Sequence, residues 1–396
     1  MPFNPFEKAI PALKAHVDAA CDPTAINHVP GAVTVVVDRS GREVFAYAGG
    51  KRGVGVEKRM SVDSVFWIAS CTKLVTAIAC WQLVERGHLS LDDTSLVDKH
   101  IPELRDVKVM VREGNKLRLE EKKSEVTLRM LLSHTAGFGY SFFHEGVRDY
   151  GRPIGFDEVS GDIKDMLQPL VAHPGKRWTY GINLDWPGIL VERITNQSLG
   201  SYFQEHIFEP LGITDIPFTP NESMKQRLAY MNSRDSNGKL SLRDHICRRG
   251  LQAETPEEIQ ACFNSGGGGL FAKSGEYCKI LSTLLNNGVS PHTNNRILQR
   301  KTVDELFTHQ IPQFPNFGHP AQGFSLGGMV TPTATGRSYT SLWWCGLPNL
   351  FWWCDRKAGV AGMVSTQILP MGDRPVMNLW AGLEMIVYGA LKKSRL

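Results

Sequence analysis

Ser70 and Lys73 are the two residues best placed to do chemistry, a hydroxyl and an amine three positions apart in Ser70-Cys71-Thr72-Lys73. Residues at that spacing share one face of a helix. The residues that follow, Leu74, Val75, Ala77, Ile78, Trp81, Leu83 and Val84 up to Gly87, read as a helix that is apolar almost all round and therefore buried. A lysine at the head of a buried helix is costly to keep charged, so its pKa falls below the reference of about 10.4 and the amine becomes a base. The helix end also offers backbone N–H groups and partial positive charge to an oxyanion forming beside Ser70. These features together predict an activated serine.

Two other serines compete for that role. Ser236-Asn237-Gly238-Lys239 repeats the spacing, but Asn-Gly marks a turn with neither helix head nor burial. Gly323-Phe324-Ser325-Leu326-Gly327 matches the Gly-x-Ser-x-Gly elbow, which requires a helix after the serine and a histidine later in the chain. Here Gly327-Gly328-Met329-Val330-Thr331-Pro332 follows, and the last of twelve histidines is His319, so both requirements fail. Ser325 reads as a glycine-flanked strand position. For Ser70, the best partner base is Tyr180, held between Pro174-Gly175 and Gly181 on a loop leading into a helix. Beside Lys73 its phenolate would be favoured by the ammonium and could relay the proton of Ser70.

The elements that must position these groups follow from periodicity. Residues 4 to 20 read as an amphipathic helix, and Gly31 to Val37 and Glu43 to Ala48 as a hairpin turning at Asp38-Arg39-Ser40-Gly41. A strand reaching Ile68 feeds the serine helix. Val109 to Val126 is a charged hairpin or loop, Thr127 to Ser133 a short helix, and Leu184 to Thr195 and Leu199 to Phe208 two amphipathic helices. Strand patterns resume after Gly266-Gly267-Gly268-Gly269, a run read as a close backbone approach because no phosphate-loop lysine follows. Glu276 to Asn286 is a helix. Ser325 to Val330, Thr340 to Trp344, Leu350 to Asp355 and Val360 to Leu369 are strands, and Val376 to Leu391 is a closing helix. The fold expected is α/β (α+β), an antiparallel sheet flanked by helices, with residues 1–88 and 248–396 forming one domain and 89–247 a mostly helical insert.

Composition narrows the function. At 396 residues, with 44 Lys+Arg against 40 Asp+Glu, no nucleic-acid partner is indicated, while nine Trp and eighteen Phe point to aromatic-lined cavities. Eight cysteines without CxxC or metal-ligand spacing suit free thiols in a reducing compartment, with no metal. The start has no apolar signal-peptide region and Leu74 to Val84 is too short to span a bilayer, so no membrane role or secretion is expected. Ser394-Arg395-Leu396 after Lys392-Lys393 is similar to a peroxisomal address, which suggests the peroxisomal matrix with the cytoplasm as alternative.

Four stretches in order give a resemblance: Ser70-x-x-Lys73, Leu132-Ser133-His134-Thr135-Ala136-Gly137, the Pro174-Gly175 to Tyr180 loop, and Trp344-Cys345-Gly346. From about residue 30 to 370 the chain resembles the serine β-lactamase and penicillin-binding-protein superfamily. Within it, Tyr180-Gly181-Ile182-Asn183-Leu184-Asp185-Trp186 and Gly346-Leu347-Pro348-Asn349 look most like the family VIII carboxylesterases and fungal lovastatin-type acyltransferases. The resemblance implies Ser70 as acylated nucleophile, Lys73 and Tyr180 as base system, and the backbone N–H groups of Ser70 and Leu347 as oxyanion hole. It also suggests Asn183 and Gly346 at the substrate, although the bacterial pattern is Tyr-x-Asn and this chain has Ile182 there. Phe138, Tyr140, Phe142 and Phe143, with Trp343, Trp344, Trp352 and Trp353, are candidate pocket walls.

One departure sets the substrate class. Where β-lactamases have Lys-Thr-Gly, this chain has Trp344-Cys345-Gly346, so an aromatic wall replaces the cationic anchor. The reaction expected is hydrolysis of an apolar small-molecule ester through acyl-Ser70. The alternative moves an acyl group from a thioester donor to an alcohol, and a catalytically idle scaffold is the third reading. No cofactor is implied, and oligomeric state is left open.

Overall fold

The computed structural model describes residues 6–114, 116–314, 323–330 and 334–393. Among them a seven-stranded antiparallel sheet forms the frame. Its strands are β1 (Gly31–Asp38), β2 (Glu43–Gly50), β3 (Gly323–Phe324), β4 (Met329–Val330), β5 (Leu342–Gly346), β6 (Leu350–Asp355) and β7 (Val360–Ser365). Their spatial order is β2-β1-β7-β6-β5-β4-β3. The N-terminal hairpin thus pairs through β1 with β7 from the chain's far end, Val35 opposite Met363, so the sheet closes only when both ends of the sequence meet.

Side-chain alternation explains why β1, β6 and β7 are nearly continuous apolar runs although the sheet is antiparallel. Both faces are covered. Ala32, Val36, Phe351, Trp353 and Val364 face a layer made by α1 (Ile10–Ala20) and α5 (Arg374–Lys393), which pack on each other. Val33, Val35, Trp352, Cys354 and Met363 face the other way, towards α2 (Thr72–Glu85) and α4 (Ser274–Leu285). Burying each such Val, Leu or Ile side chain contributes roughly 1.5–3 kcal/mol. The expected helix at residues 4 to 20 begins as a short turn at Glu7 and becomes α-helical at Ile10; its first two residues lie outside the described ones.

Helix α2 is the most enclosed element: Thr72 through Leu83 are all buried, as an all-round apolar helix requires. On one side it packs on α3 (Asp185–Thr195). The strand expected ahead of it is only Phe66–Trp67, paired with Phe271–Ala272, and a single 3-10 turn, Ala69–Cys71, leads into α2. Val109–Glu113 and Lys116–Glu120 form the charged hairpin. Residues 89–247 contribute helices, hairpins and loops against α2, but Asn232–Arg234 returns to pair in parallel with Ile368–Leu369. No helix among the described residues is long and apolar enough to cross a membrane.

Candidate active site

The turn Ala69–Cys71 presents Ser70 at the head of α2, with Lys73 one turn further along the same face. Ala69 takes φ +44°, a backbone conformation that costs energy for a residue with a side chain and that a tight environment must enforce. Gly346 at the end of β5 is part of that environment. A Cβ there would stand 2.5 Å from the Ile68 carbonyl oxygen, so only glycine lets the strand end lie against the turn.

Two polar groups converge on the Ser70 hydroxyl. Lys73 Nζ lies 3.1 Å from Ser70 Oγ, and the Tyr180 hydroxyl donates to Oγ at 2.7 Å. Lys73 Nζ also donates to the Gly267 carbonyl at 2.6 Å and to the Tyr140 hydroxyl at 3.0 Å. A neutral amine has two N–H bonds and one lone pair. With both N–H bonds directed to Gly267 and Tyr140, the lone pair is left facing Ser70.

Electrostatics bring that neutral form within reach of neutral pH. Lys73 is 3% exposed, and burial brings its pKa down to about 8, with the nearby Asp185 carboxylate holding it up against a larger fall. Asp185 is itself buried and its carboxyl is shifted up by burial; its Oδ1 accepts from Ser265 Oγ at 2.6 Å and from the Gly267 N–H at 3.1 Å. The sequence expectation of a favoured Tyr180 phenolate is corrected here. Burial among aromatic rings pushes the Tyr180 phenol up, as it does the Tyr140 phenol, and outweighs what the hydrogen bond from Trp344 Nε1 at 3.3 Å does to lower it. Tyr180 is thus a neutral proton donor and acceptor, and the amine whose lone pair comes free closest to neutral pH is that of Lys73.

The Tyr180 loop is held from behind by the His134 turn. His134, at φ +58° and fully buried, packs its ring tilted against the Tyr180 ring with centroids 4.7 Å apart, and its carbonyl accepts from the Thr179 N–H at 2.8 Å. Burial and the Lys73 charge hold this imidazole neutral, well below its ordinary pKa. Asn183 ties the same pieces together, its Nδ2 reaching His134 Nδ1, the Phe138 carbonyl and the Thr179 carbonyl at 3.1 to 3.2 Å. Asn183 and Phe138 are each 0% exposed, and Phe138 stacks on Trp186. Expected at the substrate, both stand instead behind the wall, because their bonds and contacts brace the loops that carry Tyr140 and Tyr180.

In front of Ser70 opens a cavity of about 200 Å³. Tyr140, Tyr180, Trp344 and Leu347 line it, together with Phe142 and Phe143 at its rim. Gly346 does not line it; it sits under the Ser70 turn. Of the other candidate tryptophans, Trp352 and Trp353 are fully buried in the two cores and Trp343 leans on Trp380 of α5. Among the described residues no cluster of His, Cys, Asp and Glu could hold a metal.

A family model described as Beta-lactamase matches residues 14–384. The chain belongs to the beta-lactamase family. Relatives with full-length similarity include the monacolin J acid methylbutanoyltransferase of Aspergillus terreus, 32% identical with 92% of this chain and 93% of that protein covered. The lovastatin esterase of Penicillium rubens is also 32% identical, with 90% and 92% covered. Among solved structures, unliganded simvastatin synthase (LovD) of Aspergillus terreus superposes with a TM-score of 0.81 at 31% identity, over 96% of this chain and 98% of that one. EstCE1, a hydrolase with promiscuous acyltransferase activity, shares the fold at a TM-score of 0.75 and 21% identity over 97% and 99%.

Within this beta-lactamase-family site, sequence reasoning missed several participants. The glycine run supplies Gly267, whose carbonyl fixes Lys73, and Gly268, whose carbonyl accepts from Trp67 Nε1 at 2.7 Å; Trp67 then lines the cavity. Gly267 stands so close to the Asp185 carboxylate that a side chain has no room. The rival serines are elsewhere. Ser236 and Lys239 are exposed in a hairpin turn, and Ser325 is buried with its Oγ accepting from the Gly327 and Gly328 N–H groups.

Proposed function

We propose that this chain is a serine acyltransferase that carries an apolar acyl group on Ser70 and passes it to an alcohol. The reading rests on the convergence of one hydroxyl, one buried amine and one phenol at the mouth of an apolar cavity. Neutral Lys73 takes the Ser70 proton as Oγ attacks the donor carbonyl, and the oxyanion that forms is stabilised by the backbone N–H groups of Ser70 and Leu347. The Tyr180 phenol protonates the departing thiol or alcohol and is reprotonated through Lys73, so the proton taken from Ser70 leaves with the first product. The acceptor then attacks acyl-Ser70 and its own proton returns along the same path.

Transfer is placed ahead of hydrolysis, the reverse of the order drawn from sequence alone, because a named transferase and a named esterase stand equally near, at 32% identity, and further acyltransferases accompany the first. Hydrolysis by the same acyl-enzyme is the second reading. Trp344-Cys345-Gly346 supports an uncharged acyl group in either case, since no lysine is there to hold a carboxylate beside the scissile bond. The partners proposed are a small-molecule alcohol and an acyl thioester or ester donor. A peroxisomal or cytoplasmic setting rests on Ser394-Arg395-Leu396, which lies outside the described residues.

Incubation with p-nitrophenyl butyrate, with and without an added alcohol, tests the proposal by the ratio of new ester to free butyrate. Ester that rises with alcohol at the expense of acid supports transfer, and acid alone supports hydrolysis. A fluorophosphonate that labels neither wild type nor Ser70→Ala would overturn both and leave a binding scaffold.

A further inference from the structure

Two charged side chains line the reaction cavity, Glu158 and Arg249. They are not equivalent. Glu158 is buried and its oxygens accept from the Ser141 N–H at 2.6 Å, Gln168 Nε2 at 3.0 Å and Ser141 Oγ at 2.8 Å, so three donors answer its charge locally. The Arg249 guanidinium rests on neutral partners. Its Nη1 donates to the Gly161 carbonyl at 3.0 Å, and it also bonds the Cys262 thiol. The nearest carboxylate oxygen, Asp162 Oδ2, is 3.7 Å away, with the two side chains 39% and 41% exposed. A long, solvated pair of that kind is weak and leaves the cation only partly compensated.

An arginine so fixed has a purpose that packing does not explain. The Gly161 carbonyl anchors one arm of the fork at the cavity, while the remaining N–H groups are free to meet a ligand in the two-pronged geometry that carboxylates and phosphates accept. The surrounding wall, Phe218, Phe263 and Val159 among others, is apolar, which strengthens any ion pair formed there. The family's cation at the third motif is missing from Trp344-Cys345-Gly346, and Arg249 supplies one from a different element. We propose that Arg249 is a specificity-determining residue that selects substrates carrying an anionic oxygen group, either a carboxylate on the acceptor alcohol or a phosphate on the thioester donor. The inference rests on the acyl-transfer reading of Ser70 and adds the charge of the molecule that reading requires.

The two sources are separated by paired probes. On the acceptor side, ω-hydroxy acids from hydroxyhexanoate to hydroxydodecanoate are compared with their methyl esters, using neutral S-butyryl-N-acetylcysteamine as donor. On the donor side, butyryl-coenzyme A is compared with S-butyryl-N-acetylcysteamine, using a methyl hydroxyalkanoate as acceptor. Wild type is expected to favour the anionic member of at least one pair by about tenfold in kcat/KM, the scale of one charge-assisted contact. Arg249→Leu is expected to bring that ratio to within about twofold, Arg249→Lys to keep part of it, and Asp162→Asn, which removes the competing carboxylate, to increase it. Equal rates for both members of both pairs in wild type overturn the inference while leaving the Ser70 chemistry standing. So does a preference that survives in folded Arg249→Leu, or one that Asp162→Asn leaves unmoved. Failure to turn over any donor removes the acyl-transfer reading and this inference with it.

Discussion

On the proposed reading, the pH at which Ser70 becomes nucleophilic is set by Lys73. Its ammonium is buried against the Gly267 carbonyl, the Tyr140 hydroxyl and Ser70, and the drop from 10.5 to about 8 corresponds to roughly 3 kcal/mol of preference for the neutral amine. A base acts only when neutral, so activity must rise with pH through that value. The neutral fraction is about 1% at pH 6, about 10% at pH 7 and about one half at pH 8. Accordingly kcat/KM for phenyl butyrate, followed by the butyrate released or transferred, should rise about fivefold from pH 7 to pH 8 and level off above about pH 9. Other groups at the site stay silent in that window, since burial lowers His134 well below it and raises both tyrosines above it. A rate that is flat from pH 6 to 9, or one still climbing near pH 10, would mean that Lys73 is not the base or is not desolvated, and the reasoning would fail.

Four further substitutions probe the same arrangement. Asp185→Asn keeps an oxygen for the Ser265 and Gly267 donors but deletes the negative charge that raises Lys73, so the midpoint of the pH profile should move to lower pH; a midpoint moving up would contradict the assignment. Tyr180→Phe removes the proton donor to the leaving group, so kcat for an alkyl butyrate should fall by roughly 100-fold or more and far less for p-nitrophenyl butyrate, whose leaving group needs no proton; equal losses would argue for a positioning role alone. Gly346→Ala must displace the Ile68 carbonyl and with it the Ser70 turn, costing roughly 1–3 kcal/mol by urea unfolding and lowering kcat; a variant with wild-type stability would show that the close approach is not needed. Asn183→Ala leaves the Phe138 and Thr179 carbonyls short of a donor inside the protein, for a loss on the order of 3 kcal/mol, and a change confined to KM without loss of stability would put Asn183 back at the substrate.

What could be read from the sequence were features carried by adjacent residues. Ser70 and Lys73 lie in one turn and the apolar run after them demands burial, so the pairing of hydroxyl with buried amine and the direction of the lysine shift both followed from local pattern. The hairpin of β1 and β2 and helices α4 and α5 were legible for the same reason. The partners that complete the site come from far along the chain. Tyr140 is 67 residues from Lys73 and Gly267 is 194, and nothing in a glycine run says which side chain its carbonyl will meet. Asn183 was misplaced because it sits in the short 3-10 turn Ile182–Leu184, where no periodicity distinguishes the face towards the cavity from the face towards His134. The Tyr180 shift was read in the wrong direction for a related reason. Its neighbouring cation was visible in the motif, whereas the ring of Trp178, Trp344 and His134 that packs around the phenol and desolvates it exists only after folding.

On the proposed reading, substrate choice and base strength are two results of one wall. Placing Trp344 where relatives with a Lys-Thr-Gly motif carry a lysine removes a cation from beside Ser70 and adds an aromatic face and an indole N–H to Tyr180. On the proposed reading, losing that cation favours an uncharged acyl group next to Ser70. The indole and its neighbours also withdraw water from the amine and the phenol, which frees the lone pair of Lys73 near neutral pH and keeps Tyr180 protonated. A lysine restored at position 344 would thus do more than offer an anchor. Its charge would lower Lys73 further while drawing Tyr180 towards phenolate, and the proton would have to travel by the other route, from Ser70 to an ionised tyrosine.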